Sequence, residues 1–191
     1  MAKLILVPGL SDETRLFEFA ADHFFRKRGI KTMVHAFGWK DKSTGFEAKL
    51  ESLLAAIDAF AGKENIALAG SSAGASASFN AYYLRKNKVV KLINICGRLS
   101  RAGSPSLEWA ARDSLSFFDS VISCEKGLAR LTAEDRKKIL TMRPLYDEIV
   151  PSFSVPVGGA RNIRIISIEH MLSGALSLTL YSGIISGFIK D

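Results

Sequence analysis

Hydrophobic positions along the chain alternate between short continuous runs and spaced, helix-like sets. Leu4–Val7 is an apolar run stopped by Pro8-Gly9, which predicts a buried strand. From Asp12 to Arg28, Leu16, Phe19, Ala20, His23 and Phe24 share one helical face, and Gly29 closes the segment. Thr32–Phe37 predicts a second strand, ended by Gly38. Ser43 or Thr44 can cap a helix through Phe60 that turns Phe46, Leu50, Leu53, Leu54 and Ile57 inward. Asn65–Ala69 and Val89–Cys96 predict strands on either side of a Gly74–Lys86 helix. Lys138–Met142 is a weaker fifth strand, and Asn162–Ile168, with four isoleucines, a clear sixth.

Residues 98–136 lack such a period. They hold Pro105 and an aromatic cluster of Trp109, Phe117 and Phe118, and predict two or three short helices. Residues 171–189 carry no charge over 19 positions, the length of a bilayer span. Serines and a threonine interrupt that run, however. Leu172, Leu176, Leu180, Ile184 and Phe188 recur every fourth residue, which predicts a buried terminal helix rather than a membrane span.

Strands alternating with helices imply an α/β domain, a doubly wound, mostly parallel six-stranded sheet covered on both faces. The chain is expected to form a single domain over residues 1–191, with a small helical insertion at about 99–136. Ligands in such sheets bind beyond the carboxyl ends of the strands.

Composition narrows the function. The net charge is +7, with basic residues scattered in short groups such as Arg26-Lys27-Arg28 and Arg136-Lys137-Lys138. None is interleaved with aromatics, so nucleic acid is not an expected partner. Arg98 and Arg101 after the fourth strand are expected to be solvated. The cysteines, Cys96 and Cys124, have no framework spacing and read as buried small hydrophobes. With no secretory h-region after Met1, a cytoplasmic location is expected. No nucleotide-binding glycine motif and no zinc spacing occurs, so no cofactor and no metal is expected.

The chemistry gathers at the predicted strand ends. After the first strand comes Pro8-Gly9-Leu10-Ser11, after the third Gly70-Ser71-Ser72-Ala73-Gly74, after the fifth Asp147-Glu148, and after the sixth Glu169-His170. A serine hydroxyl needs a neighbouring base to become a nucleophile. Histidine titrates near neutrality, and a carboxylate orients it and stabilises its charged form. In G-x-S-x-G, glycines at 70 and 74 let a strained strand-to-helix turn lift Ser72 above the sheet. The Ala73 N–H then faces the developing oxyanion, with Leu10 N–H as the second donor. Asp147 competes with Glu148 and Glu169 for the acid; strand alternation points Glu169 away from His170. His23 and His35 are expected to be structural.

With LILVPG, GSSAG, DEIVP and the late histidine in this order, the whole chain resembles the α/β-hydrolase superfamily. It looks like a compact member without the first two strands of the larger fold or a large cap. The resemblance implies Ser72 as nucleophile, Asp147 as acid, His170 as base, and a spatial strand order 2-1-3-4-5-6. Three departures stand out: Ser71 precedes the nucleophile, the oxyanion loop reads PGL rather than HGG, and His170 sits in IEHML. The expected activity is a serine hydrolase cleaving a small ester or thioester through an acyl-enzyme, its partner a small-molecule ester or amide. The alternatives are an amidase or peptidase with the same triad, and a non-catalytic binding protein on the same fold.

Overall fold

The structure, a computed structural model, describes residues 1–102, 107–108 and 112–191. Six strands form one sheet: β1 Ala2–Val7, β2 Ile30–Val34, β3 Ile66–Ser71, β4 Val89–Ile95, β5 Ile139–Pro144 and β6 Arg161–Ile165. All neighbours pair parallel in the order β2-β1-β3-β4-β5-β6. The described helices are α1 Arg15–Ala20, α2 Phe46–Ala61, α3 Ala73–Leu84, α4 Leu115–Leu128, α5 Ala133–Lys137, α6 His170–Leu178 and α7 Ser182–Lys190. The expected fold class and strand order are those observed.

The central strands are buried along their length because helices cover both faces of the sheet. Every residue of β3 is buried. Two apolar cores result. One joins α2, α3 and α4 to the sheet through Leu53, Ile57, Phe79 and Val121. The other joins α1, α6 and α7 through Phe17, Ala20, Leu178 and Ile185. All five inward residues expected of α2 are buried, but its N-cap is Gly45, with no side-chain bond from Ser43 or Thr44 to the helix end. Pro105 and Trp109 lie outside the described residues. Of the expected short helices in 98–136, α4 is a full 14 residues, started by the Ser114 side chain accepting from Phe117 N–H.

Three apolar patterns point elsewhere than their periodicity implied. Past α1 the chain widens into a π turn over Ala21–Phe25 and tightens into a 3-10 turn before Gly29, at φ +71°. The buried residues are Phe17 and Ala20 of α1 and, within the wide turn, Phe25 in place of Phe24. Phe19 and His23 instead stack on each other at the surface, ring centroids 4.3 Å apart. The sixth strand stops at Ile165, so Ile166 and Ile168 are exposed rather than buried. β6 is the sheet edge, and among the described residues no further strand holds the chain extended past that point.

The expected terminal helix is two helices, α6 and α7, bent by 53°; no single described helix is long and apolar enough to cross a membrane. Leu172 and Leu180 are exposed, while Ser173, Ser177, Ser182 and Ser186 are buried. The inward face therefore mixes these small polar residues with Leu178, Ile185 and the expected Phe188. The mixture is tolerated because the hydroxyls are satisfied locally. Ser177 and Ser186 each donate to the carbonyl four residues back at 2.8 Å, and Ser182 donates to the Thr179 carbonyl.

Asp135 pins α5 to the rest of the fold. Its carboxylate accepts from Thr132 N–H at 3.0 Å and from Lys86 Nζ at 2.7 Å, while its own N–H donates to Thr132 Oγ1. Burial works to raise its pKa, but the bonds from Lys86 and Thr132 outweigh it and hold the carboxyl down to about 2. A depressed folded-state pKa stabilises the fold above the unfolded value of about 3.9, and that stabilisation is lost as pH falls through the folded value. Asp135→Asn should therefore cost about 1–2 kcal/mol in urea unfolding at pH 7. The difference from wild type should close as pH is lowered toward 2.

Candidate active site

β3 passes into α3 through one residue, Ser72, at φ +53° and ψ −121°. A non-glycine residue there costs of order 1–3 kcal/mol and persists only where its surroundings enforce it. Here the enforcement is visible. Ser72 N–H donates to the Ile95 carbonyl of β4 at 2.9 Å, and Ala75 N–H returns to the Ser72 carbonyl at 3.1 Å. The flanking backbone approaches more closely than any side chain permits. A Cβ on Gly70 would lie 2.2 Å from the Gly74 carbonyl oxygen, and one on Gly74 would lie 2.2 Å from that of Val7. One on Gly97 would lie 2.5 Å from the Ser72 carbonyl oxygen. Turns after β1, β3 and β4 are thus pressed together, and the serine side chain is directed outward from the junction.

His170 and Asp147 meet Ser72 there. His170 Nε2 lies 2.9 Å from Ser72 Oγ, and His170 Nδ1 lies 2.9 Å from Asp147 Oδ2. The Asp147 side chain is 1% exposed and that of His170 4%, while Ser72 is half-buried. Asp147 Oδ1 also accepts N–H groups from Ile149 at 2.9 Å and Val150 at 2.7 Å. Asp147 therefore caps its own turn and holds the imidazole at once. Burial works to raise the Asp147 pKa. Hydrogen bonds from His170, Val150 and Ile149 prevail and hold it below the usual carboxylate value, so it stays ionised.

The placement of His170 differs from expectation. It is the first residue of α6, five residues beyond β6, not a strand end. Glu169 is correspondingly not an alternating strand residue. It is the N-cap, its carboxylate accepting from Met171 N–H at 2.8 Å and Leu172 N–H at 2.5 Å. Glu148, weighed in the sequence as an alternative acid, is exposed yet engaged. Both its oxygens accept the His170 N–H, at 3.0 and 3.2 Å. Two carboxylates thus fix the helix end that carries the imidazole.

The Pro8–Leu10 loop closes the site. A Cβ on Gly9 would lie 2.9 Å from Ser72 Cβ, so only glycine fits there without displacement. Leu10, Ser72 and Ala73 line one small cavity of about 40 Å³. The loop is fastened from outside. Asp12, at φ +54°, accepts from Gly38 N–H at 2.9 Å and Lys40 N–H at 3.2 Å, and its own N–H donates to the Gly9 carbonyl at 3.0 Å. Trp39 Nε1 donates to the Pro8 carbonyl at 3.3 Å.

The roles of Asp12 at the loop and of Glu148 at the His170 N–H left no mark in the sequence, because their partners are backbone groups 22 to 28 residues away. Asn94 did carry a signal as the polar residue within LINIC. It is 2% exposed and holds the turn after β4, accepting from Gly97 N–H at 2.8 Å and donating to the Gly97 carbonyl. Arg98, expected in solvent, is 3% exposed and donates to the Ser100 and Ala102 carbonyls at 2.9 and 2.7 Å. Arg101 is at the surface, paired with Glu125. Cys96 and Cys124 are buried, and burial pushes both thiols up. Among the described residues no group of three His, Cys, Asp or Glu side chains is placed to hold a metal.

An apolar groove of about 190 Å³ opens directly on Ser72 and His170. Leu16 and Phe17 form one wall and Met171, Ala175 and Leu178 the other, with Ile149 at the side. It lies between α1 and α6.

No family model matches the sequence, and no curated protein does. Solved structures do match. A metagenome-derived lipolytic enzyme superposes with a TM-score of 0.75 at 13% identity, over 99% of this chain and 93% of that one. A carboxylesterase from the thaumarchaeon Nitrososphaera gargenis gives 0.74 at 12% identity, over 99% and 90%. A protein from Xanthomonas campestris assigned to the alpha/beta hydrolase superfamily gives 0.66 at 18% identity, over 100% and 99%. The chain has the α/β-hydrolase fold, in a compact form.

The close approach at the serine turn makes a stability prediction. Gly70→Ala should destabilise the fold by more than about 3 kcal/mol, because its Cβ meets backbone rather than a side chain that can move. Gly187→Ala is the control, in exposed helix with nothing within 4 Å of its added Cβ. It should stabilise by about 0.4–1 kcal/mol. Thermal melting of both variants checks the pair.

Proposed function

From the α/β-hydrolase fold and the geometry at the carboxyl edge of its sheet, we infer that the protein is a serine hydrolase of small esters or thioesters. The observation that carries this reading is the continuous contact from Ser72 Oγ through His170 to the buried, ionised Asp147, at 2.9 Å on each side of the ring. A carboxylate on Nδ1 leaves Nε2 free to accept the serine proton, which is the tautomer a general base needs.

Ser72 Oγ attacks the substrate carbonyl as His170 Nε2 takes its proton. The Ala73 and Leu10 N–H groups receive the charge that develops on the carbonyl oxygen. Such donors are each worth about 2.7–4 kcal/mol in the transition state. His170 returns the proton to the departing alcohol or thiol as the carbonyl–leaving group bond breaks, leaving an acyl-Ser72. Water then attacks the acyl carbon, its proton passing to His170 and on to Ser72 Oγ as the acyl–Oγ bond breaks and the acid departs. The strained Ser72 turn and the Gly9 contact fix the hydroxyl in advance, so little reorganisation is left for the reaction itself.

The groove between α1 and α6 is the place for the acyl chain. It is apolar, and its volume of about 190 Å³ is below the roughly 300 Å³ at which pockets for drug-sized ligands begin. That favours short chains.

A fluorophosphonate probe should label the wild-type protein and not Ser72→Ala. Equal labelling of both would remove Ser72 from the mechanism. Over a series of nitrophenyl esters, kcat/KM should rise about fourfold per methylene, from about 0.8 kcal/mol of burial each, until the groove is filled. Ala175→Leu should move the optimum to a shorter chain. An optimum at long, fatty-acid-like chains would refute this use of the groove.

A further inference from the structure

A second cleft, lined by charged residues around Trp39, adjoins the site from the opposite side of the Pro8–Leu10 loop. The acyl groove is walled by Phe17 and Leu178, which belong to the core on one face of the sheet. The cleft is walled by Trp39, which belongs to the core on the other. It consists of two adjoining cavities of about 290 and 460 Å³ that share Trp39, Lys42, Asp113 and Ser114. The one nearer the serine also touches Leu10 and Ser11, and both of these line the acyl groove beside Ser72. A substrate whose carbonyl sits at Ser72 therefore has an apolar channel on one side and this cleft on the other.

The cleft is a built feature. Its walls are the segment before α2 and the start of α4, and buried side chains lace them together. Lys49 is 4% exposed, and its ammonium donates to the Asp41 carbonyl at 2.5 Å and to Ser116 Oγ at 3.3 Å. Ser116 Oγ in turn donates to the Thr44 carbonyl at 3.4 Å. The wall does not need to form when a ligand arrives.

The lining decides the ligand class. Lys40, Lys42 and Arg112 face the cleft together with Asp41, Asp113 and Asp119, three charges of each sign. An alkyl chain there would displace water from those charges and return no hydrogen bond. An ion of either sign would meet three like charges as well as three opposite ones. A hydroxyl suits both, since it accepts from an ammonium or guanidinium and donates to a carboxylate.

We propose that this cleft holds the leaving-group half of the substrate and that this half is a neutral polyhydroxyl alcohol, a sugar or polyol esterified through one hydroxyl. The proposal rests on the hydrolase reading above. The bond broken is the ester C–O bond at Ser72, and the polyol leaves with the proton that His170 carries.

The test compares two esters of the same short acyl chain, one of nitrophenol and one of glucose, with wild type and the Lys42→Ala/Asp113→Ala variant. Both side chains are exposed, so the substitutions should leave the fold intact, and circular dichroism checks this. The kcat/KM ratio of glucose ester to nitrophenyl ester should fall about tenfold in the variant, chiefly through a higher KM, as charge-assisted hydrogen bonds are lost. An unchanged ratio, or a wild type that cleaves only the nitrophenyl ester, overturns the proposal and leaves the hydrolase reading standing. A wild type that cleaves neither ester overturns both.

Discussion

The contact on which the rest of the site depends is backbone against backbone. Gly70, Gly74 and Gly97 let the turns after β1, β3 and β4 approach to distances that exclude any Cβ. This approach keeps Ser72 in its strained conformation, and the bond from Ser72 N–H to Ile95 completes the restraint. The strain is stabilised by three strands at once, so it does not relax when a single loop moves. The parallel sheet supplies the opportunity. It delivers every carboxyl end to the same edge, where one crowded junction can set the direction of one side chain.

The histidine is held by a different device. Ser72 is fixed by sterics, whereas His170 is fixed by carboxylates. Asp147 takes the ring nitrogen, Glu148 takes the His170 N–H, and Glu169 takes the next two N–H groups of α6. Two of these acids, Glu148 and Glu169, complement the unpaired donors and the dipole of the helix N-terminus. The arrangement turns a loop that leaves the sheet early, after Ile165, into a rigid support. It also shows why an imidazole five residues past its strand still reaches the serine.

Different loops give the site its two sides. The α1 and α6 helices face each other across an apolar groove. The segment before α2 and the start of α4 face each other across a charged cleft. Leu10 lies between them and, through Asp12 and Trp39, is tied to the polar side. The same loop that we propose supplies an oxyanion donor therefore separates the two halves of the substrate.

Local pattern alone determined much of this protein. The continuous apolar runs of β1, β3 and β4 and the inward stripe of α2 were legible because burial on both sheet faces, or on one helix face, leaves a short-range periodic record. The G-x-S-x-G turn was legible because the glycines it needs are neighbours in the chain. The tertiary structure decided what depends on distant partners. The π turn carried Phe25 inward in place of Phe24. The bent terminal pair buried serines and exposed Leu172 and Leu180, since hydroxyls that bond their own helix can pack where larger side chains cannot. Arg98 went inside because Ser100 and Ala102 offered it carbonyls. The meeting of Ser72, Asp147 and His170 belongs to both levels. Residue type and order proposed it, but only the closure of the sheet and the capping of α6 brought side chains 98 residues apart to 2.9 Å.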